Sequence, residues 1–484
     1  WLASLPKTML DTRPSLWARY ARLSLVTGQT TGVEEKLQAA EAALQGAESD
    51  DKSRNLIGQI AAARATLALS RYQVKTMIAE SRRALEYLHP DNLPSRNQAL
   101  YTLAVAYRLQ GDRAAAGRAY TEVLSISQAS GDIFYTILAA CGLGEVQELE
   151  NQLYSAAETY RRVLPLFGDN PQPSAEEAYL GLAHITYEWN DLEFAGQHGQ
   201  QSLKLARQYD RVIDRFIVSE VFLARLKLAR GDVVGAATML AETEQSARQQ
   251  NFLLRMPEIA AVQVLVLLRQ GNLAMAAQLA QLYDLPLSQA RVLLAQRDPS
   301  AALALLEPLS RENEAKGWVD EQLKVMVLQA VALHAQGEKD KALQLLDDVL
   351  KLAEPGGFIR IFIDEGKPMA QLLREAASKR IMPDYIGKLL AAFEAEKWKN
   401  EVKPTLPHTL AKGRRDGELL IELLSAREME VLKLLRTDLN GPEIARERMV
   451  SLSTLRTHTQ NIYAKLGVNN RRAAVRRAEE LDLL

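Results

Sequence analysis

Ser425-Ala426-Arg427-Glu428-Met429 opens a run of capped, amphipathic segments that continues to Leu484. Ser three residues ahead of Glu is a capping box: the Ser425 hydroxyl accepts from the Glu428 amide, and the Glu428 carboxylate accepts from the Ser425 amide. Leu424 and Met429 stand where a hydrophobic staple closes. Met429, Leu432 and Leu435 then recur at helical spacing. Asp438-Leu439-Asn440-Gly441-Pro442 breaks that helix. Asn440 is placed to cap the next one, with Pro442 tolerated in its first turn and Glu443 at the capping-box position. This second helix, Glu443 to Arg448, is short. Met449-Val450-Ser451 ends it, and Ser451 offers an N-cap to a third helix, Leu452 to Leu466.

Two helices joined by a short turn, the second longer and polar on one side, make a helix-turn-helix. Ala445 is small where the two helices cross, and Val450 and Leu455 are apolar where the turn and third helix face inward. The face left over carries Thr454, Arg456, Thr457, Gln460, Asn461 and Lys465, side chains that hydrogen-bond base edges or phosphates. Arg456 is the first choice for a base contact, bidentate to guanine. Thr457 suits a thymine methyl or a base acceptor, and Gln460 an adenine or a phosphate. Thr454, Asn461 and Lys465 are expected on the backbone. Ser451 and Ser453 at the start of the helix, and Arg471 at the start of the next, complete the expected DNA-contacting set. His458 has two readings, packing inward or contacting phosphate, and the inward one is preferred. Val475 and Ala478 are expected exposed on one face of the last helix.

These residues carry a resemblance. Leu424 to Leu432, Glu443-Ile444-Ala445, Val450-Ser451, Thr454 to His458, Asn461 to Val468, Arg471 and Ala474-Val475 resemble the LuxR-type DNA-binding domain, without a gap. Gly441-Pro442 stands where that family usually has Asn and a basic or polar residue. Gln460 stands where some members have Lys. The resemblance implies a small four-helix domain that reads double-stranded DNA, pairs through its last helix on two half-sites, and works with RNA polymerase.

Composition sets the frame around this stretch. The chain has 484 residues, 25% of them charged, and a net charge of −1, so it does not coat nucleic acid along its whole length. From Arg446 to Arg477, however, eight Lys or Arg oppose one acid, Glu447, a local excess of +7. A short basic face on a neutral chain suits a reader domain attached to something else. The single Cys, Cys141, permits no intramolecular disulfide and is expected buried and inert. No apolar run approaches the ~20 residues that cross a bilayer. A cytoplasmic location and no membrane partner are the expectation.

Upstream the sequence is Ala- and Leu-rich and reads as helix from about residue 12 to 395. Breakers recur in it: Gly28, Gly111, Asn151, Asn190, Gly231, Gly271 and Gly337, with Asp298 out of phase. From Gly111 to Gly271 the intervals are 40, 39, 41 and 40 residues. Asn151 and Asn190 can take the left-handed conformation that Gly takes at a helix C-cap. The unit is thus a helix hairpin of about 40 residues. Leu103-Ala104, Tyr107, Ala116 and Tyr120 stand at tetratricopeptide spacing, as do Leu143-Gly144, Ala156 and Tyr160, and Ala330, Ala342 and Leu346. The small residues let paired helices approach, and the aromatic or Leu fills the gap between hairpins. The pattern resembles tetratricopeptide repeats, somewhat longer than the usual unit. About nine hairpins are expected to stack as a right-handed superhelix with a long concave face. The fold class expected is therefore all-α: a tetratricopeptide-like α-solenoid, then a small LuxR-type helix-turn-helix domain. Nearly all the periodic residues are core. Tyr187, His184 and Trp189 form a candidate aromatic wall beside that plainer reading.

Pro355-Gly356-Gly357 breaks the array, and the apolar run Phe358-Ile359-Arg360-Ile361-Phe362-Ile363 follows, with no chemistry assignable to it. An array, this stretch and a LuxR-type domain together resemble the C-terminal half of the large ATP-binding LuxR-type transcriptional regulators, the maltose-regulon-activator group. That implies an activator, a small-molecule or peptide inducer on the array, and a dimer or higher oligomer on DNA. The boundaries expected are 1–395 for the array, 396–417 for a basic linker kept open by Pro404, Pro407, Gly413 and Gly417, and 418–484 for the reader. The competing reading is a scaffold or adaptor that the reader domain localises to DNA.

No enzyme, cofactor or metal chemistry is expected in this chain. A phosphate loop needs G-x-x-x-x-G-K-[ST], yet Ile361 stands five residues before Gly366-Lys367 and Pro368 follows it, and Met382 stands five before Gly387-Lys388 and Leu389 follows it. The chain opens on Trp1, which fits a fragment, and ATP would enter only through a nucleotide-binding domain upstream in a parent protein. The six His residues are scattered without metal-ligand spacing.

Overall fold

Gly111-Asp112, Asn190-Asp191, Gly231-Asp232 and Gly271-Asn272 each end one helix and begin the next. The first residue of each pair lies at positive φ (84°, 61°, 78° and 76°). Its successor's side chain accepts from the amide three residues on: Ala115 on Asp112, Phe194 on Asp191, Gly235 on Asp232, Met275 on Asn272. One residue thus closes a helix in the left-handed conformation while the next caps the following helix. Such tight turns fold helices back on themselves as hairpins.

The computed structural model describes residues 9–10, 13–26, 29–44, 50–168, 175–209, 214–401, 426–437, 439–441, 443–444, 455, 458–460, 462–463, 466, 468 and 470–480. They are helical throughout, without a strand. The chain divides into two compact units, Trp1–Pro404 and Thr405–Leu484.

In the first unit nine hairpins follow one another among the described residues. They pair α1 (Pro14–Val26) with α2 (Val33–Ala42), α3 (Asp51–Leu69) with α4 (Val74–Tyr87), and α5 (Leu93–Gln110) with α6 (Arg113–Ser130). Next come α7 (Ile133–Leu149) with α8 (Leu153–Val163), α9 (Glu176–Glu188) with α10 (Leu192–Ala206), and α11 (Arg215–Ala229) with α12 (Val233–Gln249). The last three are α13 (Met256–Arg269) with α14 (Leu273–Leu282), α15 (Pro286–Ala295) with α16 (Pro299–Lys316), and α17 (Val319–Gln336) with α18 (Lys339–Ala353). Of the expected breakers, Asn151 and Gly337 also take positive φ, whereas Gly28 lies outside the described residues. The phase slip at Asp298 has a simple cause: α14 and α15 are only 10 residues each. The left-handed residue there is Arg297, Asp298 caps α16, and from Arg297 to Gly337 the interval is again 40.

Tyr120 and Tyr160 fill the spaces between hairpins. A Cβ on Gly142 of the following hairpin would lie 2.4 Å from the Tyr120 ring, and one on Gly181 would lie 2.2 Å from the Tyr160 ring. Both tyrosines are all but fully buried. Gly181→Ala is therefore expected to destabilise the array by about 1–3 kcal/mol, the usual cost of overpacking a filled core. Thermal melting checks this, and the loss should shrink when Tyr160→Leu makes room.

A linear stack in which each hairpin meets only its neighbours does not describe this array. Arg113 binds Asp320 at 2.6 Å, Trp318 Nε1 donates to Gly111 O at 3.1 Å, and Asn151 Nδ2 donates to Val319 O at 3.2 Å. The edge formed by the turns within the third and fourth hairpins thus abuts the edge between the eighth and ninth. One apolar core runs through the contact, from Ile137 and Ile185 to Leu323, Phe362 and Leu389. The superhelix closes edge to edge.

After the hairpins come α19 (Arg360–Ile363), α20 (Lys367–Ser378) and α21 (Pro383–Glu401). Helix α21 runs past the linker start expected at 396. Residues 396–401 contain no Gly or Pro, and the first breaker is Pro404. The rest of the expected linker lies outside the described residues.

Candidate nucleic-acid interface and inner wall of the array

In the second unit, α22 (Ala426–Leu435) and α23 (Arg471–Glu480) enclose a core of Val431, Leu432, Leu435, Ile444, Leu455, Ile462, Leu466, Ala474 and Ala478. The second capping box stands as its sequence reads. The Glu443 amide donates to Asn440 Oδ1 at 3.0 Å, and the Asn440 amide donates to Glu443 Oε2 at 2.7 Å. Ser425, and with it the first box, lies outside the described residues, while Glu428 in the first turn of α22 is buried.

Leu455, His458, Ile462 and Leu466 are buried at helical spacing, which fixes the inward face of the third helix and gives His458 a packing role. Gln460 is helical and exposed, as a base or phosphate contact requires. Ser451, Ser453, Thr454, Arg456, Thr457, Asn461 and Lys465 lie outside the described residues.

Arg471 has a role that its sequence position did not disclose. Its guanidinium donates to four carbonyls at the end of α22 and in the turn after it: Leu435 at 2.8 Å, Leu439 at 2.7 Å, Thr437 at 2.6 Å and Leu434 at 3.4 Å. A helix C-terminus leaves carbonyls without intrahelical partners, and a planar five-donor fork can gather several. Asn470 beside it caps α23, accepting from Ala473 at 2.9 Å. Ala478 is fully buried rather than exposed. With Ala474 it forms an i, i+4 stripe that lets α23 approach the core, leaving Arg472, Arg476 and Glu479 outward and Val475 half-buried.

In the array, the first helices of successive hairpins carry a row of polar side chains in contact across hairpins. Arg108 pairs with Glu145 at 2.6 Å. Tyr160 donates to Glu148 at 2.6 Å, and His184 Nδ1 lies 3.9 Å from the same carboxyl. Arg225 lies 3.9 Å from Glu188 and binds Asp364 at 3.0 Å. His184 and Arg225 keep 42% and 39% of their side-chain surface exposed. Yet desolvation is the largest influence on each of them. Both are half-buried on the face shared by the first helices of successive hairpins, the inner wall of the superhelix. Burial pushes Glu148 up to about 8, against the Tyr160 hydrogen bond, and lowers His184 to about 4. Both shifts favour the uncharged form. Arg225, by contrast, stays charged: burial opposes it, but Tyr187, Asp364 and Glu188 hold its pKa above the usual value.

The expected aromatic wall resolves mostly into packing. Trp189 stacks on Tyr154 at 4.8 Å and donates to Gly356 O, and Tyr187 is buried with its hydroxyl on Asp364. Only His184, edge-on to Phe222, keeps a large exposed surface. Cys141 is buried, which pushes its thiol up to about 12. Among the described residues no cluster of three or more His, Cys, Asp or Glu is placed to hold a metal ion, and no helix is long and apolar enough to cross a membrane.

Residues 58–379 match the family described as the MalT-like TPR region, and residues 422–478 match the one described as bacterial regulatory proteins, luxR family. Two curated relatives, each an HTH-type transcriptional regulator MalT, are from Serratia proteamaculans (strain 568) and Yersinia enterocolitica serotype O:8 / biotype 1B (strain NCTC 13174 / 8081). They are 24% identical over 518 and 513 residues, covering 99% of this chain and 55% of each relative. The chain spans about half the length of the curated relatives it matches. A Rap protein, solved in complex with Competence and Sporulation Factor, shares the fold with a TM-score of 0.56 at 12% identity, over 71% of this chain and 99% of that one.

Proposed function

The chain belongs to the family with a MalT-like TPR region, and we propose that it is a DNA-binding transcriptional regulator whose array takes up an inducer and whose C-terminal unit reads an operator. The observation that carries this reading is the luxR-family match over residues 422–478. The Asn440–Glu443 capping box and the inward row Leu455, His458, Ile462 and Leu466 support it, because they leave Gln460 outward on the helix that enters the major groove. Base reading falls to Arg456 and Thr457. Ser451, Ser453, Thr454, Asn461 and Lys465 hold the backbone.

The inner wall is the place for the inducer, a small molecule or peptide. Glu148, Tyr160, His184, Glu188 and Arg225 offer donors and acceptors there, in a space where desolvation strengthens each contact. The similarly folded Rap protein was solved with a bound factor. Occupancy of the array makes the chain an activator that binds DNA as a dimer and engages RNA polymerase.

Selection of operator sequences by gel shift tests the reader. Arg456→Ala should lower affinity by about 1–3 kcal/mol and relax specificity at one base pair. Binding should also weaken steeply with salt, as phosphate neutralisation releases counterions. Unchanged sequence preference would remove Arg456 from the bases. Titrating candidate small molecules and peptides into the same assay tests the sensor. An affinity that no ligand shifts, with a protein partner held by the array, would favour a scaffold instead.

A further inference from the structure

The segment between α18 and α20 is anchored far from its neighbours in sequence. Trp189 Nε1 donates to Gly356 O at 2.9 Å, the Ile359 amide to Glu188 O at 2.7 Å, and the Ile361 amide to the Glu188 carboxylate at 3.2 Å. The Tyr385 hydroxyl, on α21, donates to Phe358 O. Gly356 to Asp364 is thus a strap from the end of α9 to α21.

Arg360 is the hub of the strap and is 1% exposed. It donates to Asp364 Oδ1 at 3.0 Å, to Asn190 Oδ1 at 3.2 Å, and to Glu396 on α21. Asp364 also accepts from the Tyr187 hydroxyl at 2.8 Å and from Arg225 at 3.0 Å. The Arg225 and Arg360 guanidinium carbons lie 4.9 and 5.3 Å from the centre of the Tyr187 ring. Two guanidiniums thus face Asp364 and Glu396 around one aromatic ring, with the Glu188 carboxylate 3.9 Å from Arg225 beside them. Arg225 belongs to the inner wall, and its Nε is buried without a hydrogen-bond partner. Glu396, 26% exposed, belongs to the last helix before residues 402–425 and the reader unit.

We infer that Arg225, Asp364, Arg360 and Glu396 form a latch, a relay of alternating charges, that sets how firmly α21 is held according to the state of the inner wall. When Arg225 leaves Asp364, one buried guanidinium faces two carboxylates. The partly exposed Glu396 is the partner that leaves at least cost, and α21 loosens. When Asp364 loses its charge instead, Arg360 is left to Glu396 as its carboxylate partner, Arg225 keeps Glu188, and α21 is held more tightly. The latch rests on the sensor reading only for what draws Arg225 away; the device itself needs no ligand.

Hydrogen exchange of the full chain, without ligand, tests it at the amides of α21. Arg225→Gln and Glu396→Gln should each speed exchange there by about tenfold, the consequence of losing one buried charged contact. The pair together should be no faster than Glu396→Gln alone. Arg225→Lys, which keeps the charge, should restore protection, and Asp364→Asn should slow exchange below that of the starting protein. A merely structural strap would speed exchange in Asp364→Asn as in Arg225→Gln, and that result would overturn the latch. So would α21 remaining protected in Arg225→Gln. Should Arg225→Gln loosen α5 and α6 as well, the opposite signs expected for Glu396→Gln and Asp364→Asn decide alone. An array that no ligand affects would refute the sensor reading and leave these outcomes as they stand.

Discussion

Arg471→Ala is expected to unfold the C-terminal unit while the array keeps its melting transition. The unit spans Thr405–Leu484 and is compact apart from the array. A core of that size rarely supplies more than about 3–5 kcal/mol. Arg471 gathers the carbonyls of Leu434, Leu435, Thr437 and Leu439. Hydrogen bonds to a charged group contribute about 1.5–3 kcal/mol each, so losing this set, even with water replacing part of it, removes most of the margin. Arg471→Lys should not rescue the fold, since an ammonium is a point charge without the planar fork that spans four acceptors. Circular dichroism melting, with operator binding followed in parallel, separates this from a phosphate contact. Losing a phosphate contact would leave the fold intact and reduce the salt dependence by about one counterion. An unchanged melt with weaker binding would return Arg471 to the DNA.

The second large effect is in pH. Glu148 sits near 8 in the folded array against 4.5 for the free side chain, so between those values the folded chain holds a proton that the unfolded chain has released. Stability therefore falls as pH rises through that window. His184 acts with the opposite sign: folded near 4 and free at 6.5, it refuses a proton that the unfolded chain accepts, so stability rises with pH between 4 and 6.5. Below 6.5 the two oppose each other, with solvent screening weakening the part of the half-exposed His184. From 6.5 to 8 only the Glu148 contribution remains, a loss of about 2 kcal/mol at about 1.4 kcal/mol per pH unit. Glu148→Gln should abolish the loss above pH 6.5 and expose the opposite slope below it. Melting temperatures of both proteins from pH 5 to 8.5 check this. A variant with the same fall above 6.5 would place the responsible proton elsewhere.

Local features were the readable ones. The 40-residue interval, the left-handed Asn151 and Asn190, the Asn440–Glu443 box and the inward Leu455 are all written in residues adjacent in sequence. Tyr72, at φ 52°, does the work of a C-cap glycine with a side chain that gives no warning of it. Non-local features carried no local mark. Arg360 reads as a charge interrupting an apolar run, and only Asp364, Asn190, the Tyr187 ring of α9 and Glu396 of α21 make burying it tolerable. Arg471 reads as a strong donor, but the helix-end carbonyls it gathers lie more than thirty positions away and leave no mark beside it. Ala478 carries no mark of its burial, because a small residue suits either a helix crossing or a surface.

The edge-to-edge closure of the array also has a meaning in time. Arg113 and its partner Asp320 are 207 positions apart. A ribosome adding about 5–20 residues per second needs roughly 10–40 s to make the second after the first. For that interval the third and fourth hairpins present the edge around Gly111 and Asn151 uncovered, although their own helices are complete. The nascent array is thus an open coil with a waiting seam, and it closes only when the ninth hairpin arrives.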